Sequence, residues 1–499
     1  MSHRKQARSW PTGPKPRTIH RLCDPPSSIG RIESEAGNPS LDSALHDAQV
    51  GFWPKMHSRF LVPGLVVALA ACGSHGDKTL GHASLPLLTY EGGPLLTAPA
   101  IVTVTFPGDP MAAQLETFGE TVASSGWWDG IRAGLCASGG QMCVGDGPPG
   151  AGVELSTAAS MQYTDATLQA WLASAITGGV LPKPDANATS NTVYVLYFPS
   201  TTTITFDGVD SCVGFTGYHN AMPFGSQQLP YAVAMECGAM PSLVPNVAPL
   251  TALQNTTMSA SHEIVEAVTD PIAFTGWVID ETNPNNRGWI DMTGGGEAAD
   301  MCFDVLGLDQ DETSDGAFSV QRIWSNAQAA AGEDPCHPLL PDADVYFNAA
   351  PKQAFFVVGV GESVTFEVAA FSSAPMGDWT LTAQDWSDPT TAYLSFTLAG
   401  GIETEAGPEI QVSDGSQVQV TMTLLRDPGS LGFGEADGML ISTSGSVADP
   451  QAGHFWPIAV MSPADAADAG INPGTNSKKH RSRTRLARPV HSPHVEPAR

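Results

Sequence analysis

The stretch SASHEIVEAVTDP, residues 259–271, decides how the chain is read. On a helix, His262 and Glu266 stand one turn apart on the same face, and Glu263 lies about 100° round from His262. Met258, Ser261, Ile264, Val265 and Val268 fill the adjoining arc, so the His/Glu pair borders a buried surface. Zinc helices of the His-Glu-x-x-His type use this spacing, with two ligands at i and i+4 and a glutamate beside the first as general base. Here the fifth position is Glu, itself an acceptable zinc ligand, and such a site is harder and more anionic. The competing reading is a structural helix, because any Glu-rich helix can produce His-Glu-x-x-Glu without a metal.

Upstream of this helix, Ala100 to Phe106 is a β-branched run bounded by prolines, which predicts a strand. Residues 111–133 read as a helix ending near Trp127-Trp128. In TDATLQAWLASAITGG, Leu168, Trp171, Leu172, Ala175 and Ile176 recur at helical spacing, and Gly178-Gly179 is the stop. TVYVLYFP (192–199) and YAVAM (231–235) are apolar strands. The alternation predicts an α/β or α+β domain over residues 85–338. Near Pro341 the pattern changes to period-2 strands at 364–368, 379–381, 394–398, 418–422 and 439–441, separated by Gly, Pro and Asp turns. That predicts a small, immunoglobulin-like β-sandwich over 343–463, with a disordered tail at 464–499.

The chain has 499 residues and a formal net charge of −28. Residues 73–474 hold 7 Lys/Arg against 45 Asp/Glu, a body that repels phosphate backbones and excludes nucleic acid as a partner. MHSRFLVPGLVVALAACGS (56–74) has Arg59 ahead of a short apolar run and small residues before Cys72. It is too short to span a bilayer and reads as a signal peptide. The pattern resembles a bacterial lipobox, which implies lipidation of Cys72 and a membrane-anchored protein of the cell envelope. Met56 then reads as the start, residues 1–55 as an over-extension upstream of it, and 73–84 as a tether. Six further cysteines, an even count in an exported chain, favour three disulfides. Pairing sequence neighbours gives Cys136–Cys143, Cys212–Cys237 and Cys302–Cys336. A four-cysteine zinc site is the alternative, and no close Cys-x-x-Cys pair supports it.

The continuation TDPIAFTGWVIDETNPNNRGWIDMTGGGEAADMC carries more. With His262, Glu263 and Glu266, the residues Asp270-Pro271, Gly276-Trp277, Glu297, Asp300 and Cys302 resemble the phosphate-induced/EXORDIUM-type family and its bacterial relatives. GYHN (217–220), YAVAMEC ending in Cys237, and Tyr90 to Pro94 are similar too. The resemblance spans about residues 88–305 and not the β-sandwich. It departs in lacking a cysteine just before Gly217 and in an Asn-rich insertion at 281–290. It implies an extracellular protein with a zincin-like, metallopeptidase-like core. In that core His262 and Glu266 are zinc ligands, Asp300 or Glu297 is the third and Glu263 is the base. His219 is an extra ligand or a transition-state donor, or else a histidine hydrogen-bonded beside the Cys212 disulfide.

Asp280, Asn283, Asn285 and Asp291 raise calcium as a second cofactor, but they lack EF-hand spacing and read better as a surface turn. The expected function is a lipid-anchored, metal-dependent hydrolase. Its rival is a non-catalytic surface protein whose helix is structural and whose sandwich binds extracellular polypeptide or polysaccharide. If Cys72 is lipidated, Cys72→Ser moves the protein from the membrane fraction to the soluble fraction on cell fractionation. Unchanged membrane association overturns both the lipobox and the Met56 start.

Overall fold

The structure is a computed structural model. It describes residues 82–471 apart from 138–139, 141, 240–248, 303–311, 340–344, 389, 432–433 and 446–451. The signal segment, Cys72 and nearly all of the basic tail lie outside the described residues. Among the described residues, no helix is long and apolar enough to cross a membrane.

Five strands form the first sheet: β1 (Ala100–Thr105), β2 (Ala151–Glu154), β3 (Thr192–Pro199), β4 (Gly217–Phe224) and β5 (Gln227–Glu236), in the order β2-β1-β3-β5-β4. The first four in that order run parallel, and β4 closes the edge antiparallel to β5. A parallel sheet is buried on both faces, which is why β3 and β5 read as near-continuous apolar runs. Alternate side chains serve the two faces. Tyr194, Leu196, Phe198, Val233 and Met235 pack with Leu168, Leu172 and Ile176 of the helix α2 (Asp165–Thr177). Val193, Val195, Tyr197, Ala232 and Ala234 face the other way, toward α1 (Ala112–Thr121) and α3 (Ala252–Thr269).

Two helices differ from their sequence readings. The 111–133 segment breaks after Thr121 into a 3-10 turn and restarts at Gly126, because Ser125 adopts an extended backbone and caps the new helix by accepting from Trp128 N. α3 begins seven residues before Ser259, at Ala252. Its polar first half is LQNTTMS. It is helical because Thr251 and Gln254 form a reciprocal capping box, and because Thr257 Oγ1 donates to Ser319 O at 2.8 Å inside the protein.

Beyond α3 come a short helix α4 (Arg287–Met292) and the strand β6 (Phe318–Gln321), which packs on α3. The sandwich follows, built from β7 (Phe347–Pro351), β8 (Phe355–Val357), β9 (Ser363–Ser372), β10 (Trp379–Asp385), β11 (Leu394–Leu398), β12 (Ile402–Thr404), β13 (Gly407–Val412), β14 (Gln417–Leu424), β15 (Ala436–Thr443) and β16 (Gly453–Met461). One sheet runs β7-β9-β14-β11 and the other β8-β16-β15-β10-β13-β12. β11 and β14 alternate buried with exposed residues, the mark of an outer layer. β15 is buried along its whole length, and α4 packs on β15 and β16. Strands β7, β8 and β16 escaped the sequence reading because burial on both sides, or Pro351 and Pro457 within them, hides the period of two; β12 and β13 escaped it too, the first for its three-residue length and the second for its irregular, half-exposed pattern. Where a tail is expected, Pro463–Asp468 is a helix capped by Ser462.

One hydrophobic core runs continuously from α3 into the sandwich. At the junction Trp289 meets Trp324 and Trp456 edge-on, with centroids 5.6 and 5.8 Å apart, and lies against Phe455 at 5.2 Å. Gly288 allows α4 this approach, since a Cβ there would stand 3.1 Å from the Ile458 backbone nitrogen.

The three disulfides are Cys136–Cys143, Cys212–Cys237 and Cys302–Cys336, the neighbour pairing the sequence suggested. They place the chain among extracellular or envelope proteins.

The junction also holds His454, edge-on to Tyr346 at 4.6 Å and to Phe347 at 5.2 Å. Burial, helped by Arg322 and opposed by Asp334, holds its imidazole down to about 4 from the ordinary 6.5. The unfolded chain therefore takes up a proton that the folded protein refuses between those values, so stability is full above pH 6.5 and falls as the pH drops toward 4. Going from pH 7 to pH 5 should cost about 1–2 kcal/mol through this group. His454→Phe should flatten that part of the pH dependence in denaturant titrations; an unchanged slope refutes the assignment.

Candidate metal centre

Helix α3 is buried on every side from Asn255 to Thr269, although it carries eight polar or charged residues between Thr256 and Thr269. A buried polar group needs a partner, and most of these have one within the helix or on β6. Thr269 Oγ1 donates to Val265 O, Ser261 Oγ donates to Met258 O, and Ser261 Oγ accepts from Gln321 N. The exceptions are Thr256 Oγ1, Ser259 Oγ and two of the motif residues. His262 Nε2 and both carboxylate oxygens of Glu263 make no hydrogen bond.

Three other segments converge on this face. β4 brings His219, because Tyr218 turns to the α2 side, where its hydroxyl donates to Asp165 at 2.9 Å, and the next residue must then face α3. The close approach of β4 depends on Gly217: a Cβ there would lie 2.7 Å from Ser259 Oγ and 2.8 Å from Glu263 Oε1. Asp270 ends α3, and its carboxylate accepts from the amides of Phe274, Thr275 and Gly276 at 2.5, 2.9 and 2.7 Å. That side chain fixes the turn signalled by Asp270-Pro271, with Phe274 at φ 64°. Leu88–Tyr90 then straps across Trp277–Ile279 as an antiparallel pair, which ties the start of the α/β body to the chain just after the turn. The loop that follows presents Glu297 and Asp300 beside Cys302, whose disulfide ties it to Cys336.

Within the cluster, His262 Nε2 stands 3.1 Å from Glu266 Oε1 and 3.5 Å from Asp300 Oδ1. His219 Nδ1 stands 3.2 Å from Glu266 Oε2 and 3.7 Å from Glu263 Oε2. His219 Nε2 is 3.6 Å from Glu297 Oε1. Two donor groups result, His262/Glu266/Asp300 and His219/Glu263/Glu266, each compact enough to hold a cation. Glu297 lies outside both, on the far nitrogen of His219.

The chemistry of the donors fits a metal. Gln321 Nε2 donates to Ala299 O at 2.6 Å, so its Oε1 must accept, at 2.7 Å, from His262 Nδ1–H. The proton of a neutral His262 is thereby fixed on Nδ1, leaving the Nε2 lone pair toward the carboxylates. That nitrogen is near Glu266 and Asp300 but hydrogen-bonded to neither, as expected where it points between two ligands and not at one. Tetrahedral donors 2.0–2.2 Å from zinc sit about 3.3–3.6 Å apart, close to the 3.1 and 3.5 Å from His262 Nε2 to its two carboxylates.

Burial works against every charge in this cluster. For His262 it is outweighed by the charges of Glu266 and Glu263, and the imidazole is held up at about 10. His219 is raised well above its ordinary range, burial being overcome by Glu297, Glu263 and Glu266. Glu266, between both imidazoles, comes down to about 2 despite its burial. Asp300 is pushed up to about 8 by burial and by Glu266, while Glu263 and Glu297 are raised chiefly by burial. Without a cation, protons take its place, and a metal must displace them to bind.

All six residues singled out in sequence therefore meet. Sequence reading missed Gln321, which sits in a strand at no fixed spacing from the helix, and the carboxylate role of Asp270. Asp280, Asn283 and Asn285 lie in a turn stitched by their own side chains. Asp280 Oδ1 accepts from Thr282, Asn283 caps the turn at 284–286, and Asn285 Oδ1 accepts from Ala354 N.

No family model matches the chain, and no curated protein is significantly similar to it. Among solved structures, a conjugative transposon lipoprotein from Bacteroides eggerthii overlaps 23% of this chain and 95% of its own length, at 9% identity and a TM-score of 0.18. Domain 1 of VCBP3 from Branchiostoma floridae overlaps 25% of this chain and 99% of its own, at 6% identity and a TM-score of 0.17. Likenesses this slight carry no argument about fold or activity.

Gly217→Ala should drive β4 off α3, lowering stability by about 1–3 kcal/mol in denaturant unfolding and weakening zinc binding in calorimetry. Gly126→Ala, where a Cβ meets open space, should do neither. Equal behaviour of the two variants refutes the close approach.

Proposed function

We propose that the chain is an exported, lipid-anchored envelope protein whose α/β body is a zincin-like, metal-dependent hydrolase of the phosphate-induced/EXORDIUM-type. One observation carries this reading. The Glu263 carboxylate, 1% exposed, has no hydrogen-bond partner and stands 3.7 Å from His219 Nδ1, in the donor group that shares Glu266 with the His262 group. A structural helix gains little from a carboxylate so placed, because burying it costs several kcal/mol unless it is both paired and hydrogen-bonded, and its neighbour His219 makes no hydrogen bond to it. The disulfides support export.

His262, Glu266 and Asp300 are the residues that would hold a zinc ion. When bound there, zinc supplies Lewis acidity and lowers the pKa of water toward neutrality. Glu263 is placed to take a proton from that water and return it to the leaving amine. His219, 3.7 Å from Glu263 and hydrogen-bonded at Nε2 to Asp270 O, keeps the glutamate in position. Gln321 holds His262 in its ligating tautomer. The acidic body disfavours anionic substrates and is compatible with a peptide amide or a neutral polysaccharide.

A second reading, a non-catalytic surface protein with a structural centre, is favoured by the burial of the site: none of the six residues is more than 8% exposed. Two variants separate the readings. Under the hydrolase reading, His262→Ala loses zinc from this position and Glu263→Gln keeps zinc there and keeps the fold, yet abolishes hydrolysis of a peptide library, since an amide cannot accept the proton. Under the structural reading, His262→Ala lowers the thermal midpoint and Glu263→Gln leaves every measured property unchanged.

A further inference from the structure

The geometry points to a second cation position beside the first, with Glu266 bridging the two. This rests on the metal reading above and extends it from one ion to two. The donors do not form one set around one point. They form two sets that share only Glu266, and no group contains both imidazoles. Glu266 divides its oxygens between them: Oε1 lies 3.1 Å from His262 Nε2, and Oε2 lies 3.2 Å from His219 Nδ1. A carboxylate offering one oxygen to each side is the bridge of two-metal sites, whose ions stand about 3.5–4 Å apart.

Each histidine is prepared in the same way. His262 Nδ1 is tied to Gln321 Oε1 at 2.7 Å, and His219 Nε2 to Asp270 O at 3.2 Å. In both rings the outward nitrogen must be the donor, so the nitrogen facing the carboxylates carries the lone pair when the ring is neutral. Such outer partners orient metal-ligating histidines. One such ring is unremarkable, but two, converging on opposite oxygens of one glutamate, specify two positions. Asp300 completes the first set and Glu263 the second.

Charge points the same way. Four carboxylates, Glu263, Glu266, Glu297 and Asp300, meet two imidazoles, and buried Asp270 adds a fifth carboxylate against Glu297. An excess of buried negative charge is what such a site cannot keep, and bound cations offset it. With the second position filled, Glu263 spends Oε2 as a ligand and keeps Oε1 for proton transfer.

The test is metal stoichiometry of the full chain, purified in detergent, stripped with chelator, dialysed against zinc chloride and measured by mass spectrometry. The expected result is two zinc ions per chain, falling to one in His219→Gln and to one in His262→Gln, with circular dichroism reporting that each variant is folded. Loading with manganese(II) should give the spin-coupled spectrum of a close pair in wild-type protein and an isolated-ion spectrum in either variant. One zinc in the wild type, lost in His262→Gln and kept in His219→Gln, overturns the second position and leaves the single-ion hydrolase reading standing. No bound zinc in the wild type overturns both. Two zinc ions that persist in His219→Gln place the second ion elsewhere and also overturn the inference.

Discussion

Four carboxylates and two imidazoles are sealed between α3, β4 and the 297–302 loop, and this burial constrains the rest of the α/β body. Removing each ion from water costs several kcal/mol, and the pairings within the cluster offset that only while the geometry holds. The surrounding structure is built to hold it. Gln321 and the Asp270 carbonyl each fix a histidine ring. Asp270 spends its carboxylate on three backbone amides and so locks the turn that carries the chain away from α3. The Asp300 amide donates to Glu266 Oε1 at 3.3 Å, joining the loop to the helix.

The contributing segments are remote from one another in sequence, so their convergence depends on long-range ties. The Leu88–Tyr90 strap crosses the turn after α3, and Gly93 is required there because a Cβ would strike Thr275. Cys302–Cys336 closes the loop that carries Asp300. Arg322, buried next to Gln321, bonds Asp334 Oδ2 at 2.5 Å and the Cys336 and Pro338 carbonyls, so β6 is held from the side opposite the cluster. Chain entropy lost in fixing these segments is offset largely by the core they share.

The sandwich takes part in that core. Trp289 and Trp324 transmit packing from the loop region to β15 and β16, and Asn285 and Arg287 add polar ties to Ala354 and Glu435. Its outer sheet is a regular half-exposed surface, and its inner sheet serves as a wall behind α4. A change at this wall is therefore felt by the loop that supplies Glu297 and Asp300.

Short-range patterns determined much of this protein. The pairing of six cysteines by neighbourhood, the strands at 192–199 and 394–398, and the helix bearing His262, Glu263 and Glu266 follow from residue type and spacing within a few turns of chain. Tertiary structure decided what no spacing encodes. Helix α3 extends back to Ala252 because burial overrides the weak helical propensity of its Thr- and Ser-rich half. Gln321 becomes the partner of His262 only because β6 packs on α3. Asp300 joins the first donor group and Glu297 does not, because the loop's path sets which carboxylate reaches which nitrogen. Above all, two donor sets sharing one glutamate arise from β4 crossing α3 at Gly217, a contact with residues 42 and 46 positions on that local pattern cannot carry.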